Sequence, residues 1–326
     1  MSVTLQPGPP APLLEATTPE APRSTRRSRR AEGRGSVTRG IVSPLSLRTW
    51  HGKLIYWTVL VVVVVGFTIA FVFPLYWMVT GALKSSDELA QIPPSFFPKH
   101  FDFGVYADAW NQLQLGVFLR NTALYAGGAW LLTLAVDVTA AYALSKLRPF
   151  FGRVILGLML ATLMIPPMVL LLPTYLVAKD VPLFHWNLLN TPWAIWLPAA
   201  ANGFFIFLLK RFFDSIPREL LEAAEIDGAS PIRILWSIVL PVSRPILGVV
   251  SILSVVSVWR DFVWPLLVLP ETDKMSISIG IASLSAQMPQ NVLIASLVIA
   301  SIPTILVFFV FQRSIMAGLT AGSLKG

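Results

Sequence analysis

Long apolar runs, separated by short charged stretches, fill the chain from about residue 50 onward, and their length predicts helices that cross a membrane. A crossing needs roughly 20 apolar residues to span about 30 Å of hydrocarbon. Six segments meet or approach that length: 54–82, 122–144, 154–178, 192–209, 245–269 and 291–312. The first, third and sixth carry no charged side chain, the fourth is short, and the second and fifth contain charges. Pro74, Pro166, Pro167, Pro173, Pro198, Pro265 and Pro303 lie inside these spans. In a membrane the backbone groups that they free are satisfied by packed neighbours or a water-lined cavity, so Pro166 and Pro167 predict a kink. The expected fold class is an all-α integral membrane protein with six transmembrane helices.

Composition supports the pattern. Of 326 residues, 55% are hydrophobic and only 13% charged, against about 25% charged in soluble domains. Mean hydropathy is +0.69. The absence of cysteine excludes disulfides, thiolate metal sites and a cysteine nucleophile. His51, His100 and His185 are not spaced as ligands, so no metal site is expected.

The net charge of +8 raises nucleic acid as a partner, but the distribution of charge argues otherwise. With the N-terminus in the cytoplasm, 19 of the 25 lysines and arginines fall on the cytoplasmic side. The positive-inside rule then places both termini there. Residues 1–50 are rich in Pro, Ala, Ser and Arg and poor in aromatics, which reads as a disordered basic tail attracted to anionic lipid. Arg26, Arg27, Arg29 and Arg30 look like a twin-arginine signal, yet the apolar stretch that follows is too distant and too long for a cleaved leader. The six-span domain occupies 51–326.

Between the fourth and fifth spans the 210–244 loop reads as two short helices. Ser215 is placed to cap the first, with Pro217 in its opening turn. Asp227 and Gly228 supply its stop, since Gly adopts the left-handed conformation common just past a helix end. Ser230 and Pro231 repeat the start signal for a second helix that runs towards Pro241. Within the first helix, Ile216, Leu220, Ala223, Ala224 and Ile226 form an apolar stripe beside Arg218, Glu222 and Glu225. Helices that float on lipid carry Lys and Arg on the polar face, whereas this one carries Glu, which favours docking to a protein.

Glu222, Ala223 and Ala224, followed by Asp227, Gly228, Ala229 and Ser230 and then Leu240, Pro241 and Pro245, resemble the EAA signature of ABC importer permeases. Asn121 and Thr122 at the second span, Pro167 and Pro173 in the third, and Asn190, Thr191, Pro192 and Trp193 at the fourth extend the likeness to the carbohydrate type, similar to the maltose permease family. The resemblance covers roughly residues 55–326. It implies a subunit that pairs with a second permease and sits above two ATPase subunits, which bind ATP and Mg. An external solute-binding protein delivers the sugar. Glu222, Ala223, Ala224, Asp227, Gly228 and Pro241 would couple to an ATPase. The tail from Gly318 to Gly326, with Gly318, Thr320, Gly322 and Lys325, would reach into the ATPase dimer. The chain itself carries no phosphate-binding loop, so no cofactor and no catalytic residue is assigned to it.

Charged residues inside the spans are candidates for a substrate pathway. Asp137 lies nine residues from Lys146, about 14 Å along a helix and near the bilayer centre. Arg260 and Asp261 lie roughly 24 to 26 Å beyond Arg244, near the outer face. Trp259, Arg260, Asp261 and Phe262 resemble the family's Trp-Asn-Asp/Glu-Phe, with Arg in place of Asn. Trp259 could stack on a sugar and Asp261 accept its hydroxyls. The alternatives are a buried hydrogen-bonded acid at Asp137 and an interfacial aromatic belt at Trp259 and Trp264. An ABC permease for a non-sugar solute and an ion-coupled secondary carrier stand as competing functions. The carrier would show inverted repeats, and the sequence displays none above shared apolar composition.

Overall fold

The structure, a computed structural model, describes residues 49–321, with side chains through residue 313. The basic tail expected over 1–50 therefore lies almost wholly outside the described residues, as do Gly322 and Lys325. The chain divides into two compact units, one ending at Ile69 and the other beginning at Ala70.

In chain order the helices are α1 (Trp50–Ala82), α2 (Ser86–Leu89), α3 (Gly104–Gln112), α4 (Leu115–Tyr142) and α5 (Gly152–Thr162). They continue with α6 (Pro167–Lys179), α7 (Trp193–Ala199), α8 (Gly203–Asp214), α9 (Arg218–Ile226) and α10 (Pro231–Ile234). The last are α11 (Leu240–Val242), α12 (Arg244–Trp259), α13 (Val263–Val268), α14 (Ile277–Leu284) and α15 (Gln290–Ala321). Among the described residues the β-structure is a single isolated bridge, Val181 with Trp186. Three helices are long and apolar enough to cross a membrane unbroken: α1, α4 with its continuation to Leu147, and α15.

The remaining apolar segments are bent pairs. α5 and α6 meet at 106°, α7 and α8 at 46°, and the 231–242 segment meets α12 at 83°. The kink expected at Pro166 and Pro167 is thus a full break. Pro166 stands just before α6, and Pro167 occupies its first turn, where the missing N–H costs nothing. The predicted 245–269 helix is likewise interrupted, since α12 stops at Trp259 and α13 starts at Val263.

α4 is the centre of the second unit. Its buried positions Leu115, Phe118, Thr122, Tyr125, Ala129, Thr133, Asp137 and Ala141 recur every three or four residues and form one stripe. Small residues let neighbours approach. A Cβ on Gly128 would stand 2.2 Å from the Trp196 ring, and one on Gly280 of α14 would stand 2.3 Å from the Phe118 ring, whereas Gly127 faces open space. Two of the three apolar clusters lie towards the ends of α4. One joins Val138, Ala141, Tyr142 and Leu144 to Phe213, Ile216, Leu221, Ile234 and Leu235. The other joins Leu115 and Phe118 to Val105, Ala109, Ile277, Ile281 and Val292 at the opposite end.

These contacts predict that Gly128→Ala and Gly280→Ala each lower stability by about 1–3 kcal/mol through overpacking. Gly127→Ala is expected to be neutral or slightly stabilising. Thermal unfolding of the three variants in detergent checks the ordering.

Candidate coupling loop and polar sites along the central helix

α9 is held at the end of α4 by a sharply defined terminus. Gly228 sits at φ +76, in the left-handed region. The Ala229 N–H donates to Ala224 O at 2.9 Å and the Gly228 N–H to Glu225 O at 3.0 Å, the paired bonds of a Schellman motif. Ser230 accepts from the Arg233 N–H and Pro231 opens α10, so the second start signal is realised as expected. The first is not. The Ser215 hydroxyl donates back to Phe212 O at 2.7 Å and terminates α8. Pro217 precedes α9 instead of lying in its first turn.

The orientation of α9 also differs from the predicted stripe. Leu221, absent from that stripe, is the buried anchor, with Ile216 beside it and Ala224 half-buried. Leu220, Ala223 and Ile226 face outward together with Glu219 and Glu222, so the free face mixes apolar and acidic groups. On the flank, Arg218, Glu222 and Glu225 line a cleft of about 400 Å³ with Lys146 and Arg148. Pro241 lies on the exposed side of α11, within an apolar groove that includes Trp236 and Arg244. Asp227 caps α9 at its C-terminus.

Two π-turns border α9, one continuing α4 at Ala143–Leu147 and one following α10 at Leu235–Val239. Each inserts one residue into the helical register and turns later side chains by about 100°. At the first, the Lys146 ammonium donates to Ile216 O at 3.2 Å and the Ser145 hydroxyl to Asp214 Oδ1 at 2.7 Å. Lys210 donates to Asp214 Oδ2 at 2.7 Å. The Tyr142 hydroxyl donates to Pro231 O at 3.0 Å. Ile216 and Pro231 lie on either side of α9, so the loop is gripped at both ends.

Asp137 is fully buried, where its Oδ1 accepts the Asn202 N–H at 3.0 Å and its Oδ2 meets no hydrogen-bond partner among the described residues. Asn202 in turn caps α8 by accepting from Phe204 and Phe205. One turn earlier on α4, the Thr133 hydroxyl donates to Ala199 O at 2.9 Å. Asp137 and Thr133 therefore serve the break between α7 and α8. The four candidate pathway residues are not brought together. The Trp259 indole donates to Ala300 O at 3.3 Å, Arg260 is exposed, and the Asp261 carboxylate faces the N–H groups that open α13. The Trp264 indole donates to Ala194 O at 2.9 Å. Gly318 and Thr320 fall on the backbone of α15, and the Thr320 side chain lies outside the described ones.

At its other end α4 grips the 268–277 segment. Asn121 donates to Asp273 O at 2.7 Å, Tyr125 donates to Lys274 O at 2.7 Å, and Thr122 accepts the Ile277 N–H at 2.8 Å. Asn190 adds a bond from the Glu271 N–H at 3.2 Å. Sequence reasoning missed the pair that ties down the 83–99 segment. Lys84 is buried, bonded to Ser95 O, with its ammonium 4.4 Å from the centre of the Trp77 ring. Glu88, also buried, accepts the Ser95 hydroxyl at 2.6 Å and the Lys99 N–H. Five charges at 84, 87, 88, 99 and 102 within a polar stretch look like a solvated loop, and only the tertiary fold turns two of them inward.

A helical membrane protein with a broken-helix core and a strapped amphipathic loop is of the transport-permease class. Comparison with known proteins defines the class further: residues 137–320 match the family described as binding-protein-dependent transport system inner membrane component. The chain is 32% identical over 289 residues to the probable ABC transporter permease protein YurM of Bacillus subtilis, covering 86% of this chain and 91% of that one. It is 30% identical to the diacetylchitobiose uptake system permease protein NgcG of Streptomyces coelicolor, covering 84% and 88%. The fold matches a chain in the crystal structure of a bacterial ABC transporter involved in the import of the acidic polysaccharide alginate. That match has a TM-score of 0.71 at 24% identity and covers 82% of this chain and 99% of that chain. The chain belongs to the binding-protein-dependent transport system inner membrane components: it is an ABC importer permease, a membrane transport subunit and not an enzyme.

Two predictions come from this geometry. Gly228→Ala forces a Cβ into the left-handed region with open space around it, so the cost is conformational, about 1 kcal/mol, and appears as a lower thermal midpoint. The Ser95 hydroxyl, followed by the Lys99 N–H and the Lys84 and Lys99 charges, holds the Glu88 carboxyl below its ordinary value against the opposing effect of burial. Its stabilisation is therefore complete above the ordinary glutamate range and is lost as pH falls through the lowered folded value. Thermal midpoints measured against pH should fall on that acid limb for the wild type and stay flatter for Glu88→Gln.

Proposed function

We propose that the chain is the carbohydrate-type permease subunit of an ABC importer, moving a sugar or oligosaccharide into a prokaryotic cell by alternating access. In this reading each bent pair is one span, giving six spans with both termini in the cytoplasm, and α9 is the EAA coupling helix beneath the membrane. Residues 51–326 form the permease domain, and 1–50 is a basic cytoplasmic tail near anionic lipid. The observation that carries the reading is the outward face of α9, where Leu220, Ala223 and Ile226 stand exposed beside Glu219 and Glu222. Apolar side chains flanked by acids on a helix with a fixed C-terminus suit a groove on an ATPase subunit. The family's dependence on a binding protein, and the likeness to NgcG of a diacetylchitobiose uptake system, support a sugar delivered from outside.

Assembly follows from chemistry that the chain leaves to others. Two ATPase subunits would supply ATP and Mg, a second permease would complete the pathway, and Glu222, Ala223, Ala224, Asp227, Gly228 and Pro241 would carry the coupling. The tail from Gly318 through Thr320, Gly322 and Lys325 would enter the ATPase dimer. Asp137 would act on the pathway indirectly, by shaping the α7–α8 break, while Trp259, Arg260 and Asp261 remain candidates for sugar contact near the outer face.

Glu222→Lys reverses a charge on the docking face, and it should abolish uptake of labelled di- and trisaccharides and release the ATPase on purification while insertion is normal. Retention of both the ATPase and uptake would refute the docking role. Deleting 318–326 should lower ATP hydrolysis by the assembled complex, and unchanged hydrolysis would remove the tail from the ATPase contact.

A further inference from the structure

Three sets of side chains on α4 and its continuation each bind the backbone of a segment distant in sequence. At one end Asn121, Thr122 and Tyr125 hold the 273–277 segment. In the middle Thr133 and Asp137 hold Ala199 O and the Asn202 N–H, on the two sides of the α7–α8 break. At the other end Tyr142 and Lys146 hold Pro231 O and Ile216 O, on the two sides of α9. The sets are separated by roughly 12 Å and 8 Å of helix at 1.5 Å per residue. Each contact goes to a carbonyl or N–H at a helix end or in a turn, so each fixes a position and not merely a distance of approach.

Apolar packing alone would not do this. The cluster around Leu144, Phe213 and Leu221 is held by non-directional contacts, which do not select particular backbone groups. The hydrogen bonds are directional, and the two at α9 bracket it, so α9 cannot shift along or away from α4 without breaking one of them. The π-turn at Ala143–Leu147 carries Ser145 and Lys146, so the register of this end serves the grip.

We infer that α4 is the connecting rod of the subunit: Tyr142 and Lys146 are positioning residues that lock α9 to it, and through it α9 moves the α7–α8 break and the 273–277 segment as one body. This rests on the reading of α9 as the coupling helix. A displacement of α9 by the ATPase then reaches the far segment, where the exposed Thr272 and Asp273 report the motion. Losing one grip lets α9 move while α4 lags.

The chain has no cysteine, so Thr272→Cys gives a single thiol to follow. In the complex of the full chain with its permease and ATPase partners, the rate at which fluorescein maleimide labels this chain is measured without nucleotide and with ATP plus EDTA, which allows binding and blocks hydrolysis. The Thr272→Cys chain should label at different rates in the two conditions. Tyr142→Phe and Lys146→Met should shrink that difference roughly fivefold, the factor one hydrogen bond supplies, with the ATPase still bound. Lys146→Arg, which can still donate to Ile216 O, should restore it, whereas a purely structural role of the stem would be served by Met as well. Equal labelling with and without ATP in the parent, or an undiminished difference in Tyr142→Phe and Lys146→Met, overturns the rod. If Tyr142→Phe fails to assemble, Lys146→Met is read alone, with the same two outcomes. Release of the ATPase by Glu222→Lys is scored separately, so a failed rod and a failed docking helix give different results.

Discussion

A helix that breaks within an apolar span frees N–H and C=O groups that lipid cannot satisfy, and each must find a partner in packed neighbours or a water-lined cavity. That constraint organises this molecule. The breaks at 163–166 and 200–202 and the sharp turn at 243 interrupt three apolar segments, and the unbroken α4 runs past them carrying the polar side chains that the second break needs. Thr133 takes the carbonyl on one side and Asp137 the N–H on the other. An acid and a hydroxyl in an otherwise apolar stripe are therefore explained by the backbone they serve. Removing either leaves a buried backbone group unpaired, which costs more than the net worth of the bond it made.

The same logic explains why α4 is long and regular where its neighbours are not. A helix whose own hydrogen bonds are complete can spend its side chains on others. Asn121, Thr122 and Tyr125 at one end and Tyr142, Ser145 and Lys146 at the other all bind partners outside α4, and small residues between them bring Trp196 and α14 close. Overpacking at Gly128 or Gly280 would push the neighbouring rings away and disturb the polar contacts next to them, so the packing and the hydrogen bonds depend on one another.

What the sequence made legible follows from how local each signal is. Six apolar runs and the Pro166–Pro167 break are written in composition and in proline chemistry, and both are visible without tertiary context. The end of α9 is equally local, because Gly228 in the left-handed region and the Ala229 to Ala224 bond depend on a few adjacent residues. Ser230 caps because Pro231 follows it directly, while Ser215, two residues from its proline, is taken by the helix that precedes it. The phase of α9 was not legible: nine residues fit more than one orientation, and only the pocket formed by Phe213, Ile234 and the end of α4 selects Leu221 over Leu220 as the anchor. Lys84 and Glu88 were hidden for the same reason, since charges in a polar stretch reveal burial only when the partners Trp77 and Ser95 are in place.

Transmission through such a rod demands stiffness in one direction and freedom in another. Along α4 stiffness comes from the helix itself and from directional bonds to carbonyls, which lose most of their energy when bent below about 120°. Around α4 freedom comes from the surfaces it does not bind, since α5, α6 and α15 each present exposed apolar side chains. A force arriving at Ile216 or Pro231 therefore meets resistance along the bonded line through Tyr142, Asp137 and Tyr125 and little resistance across it. The protein contributes geometry to a process whose energy comes from elsewhere.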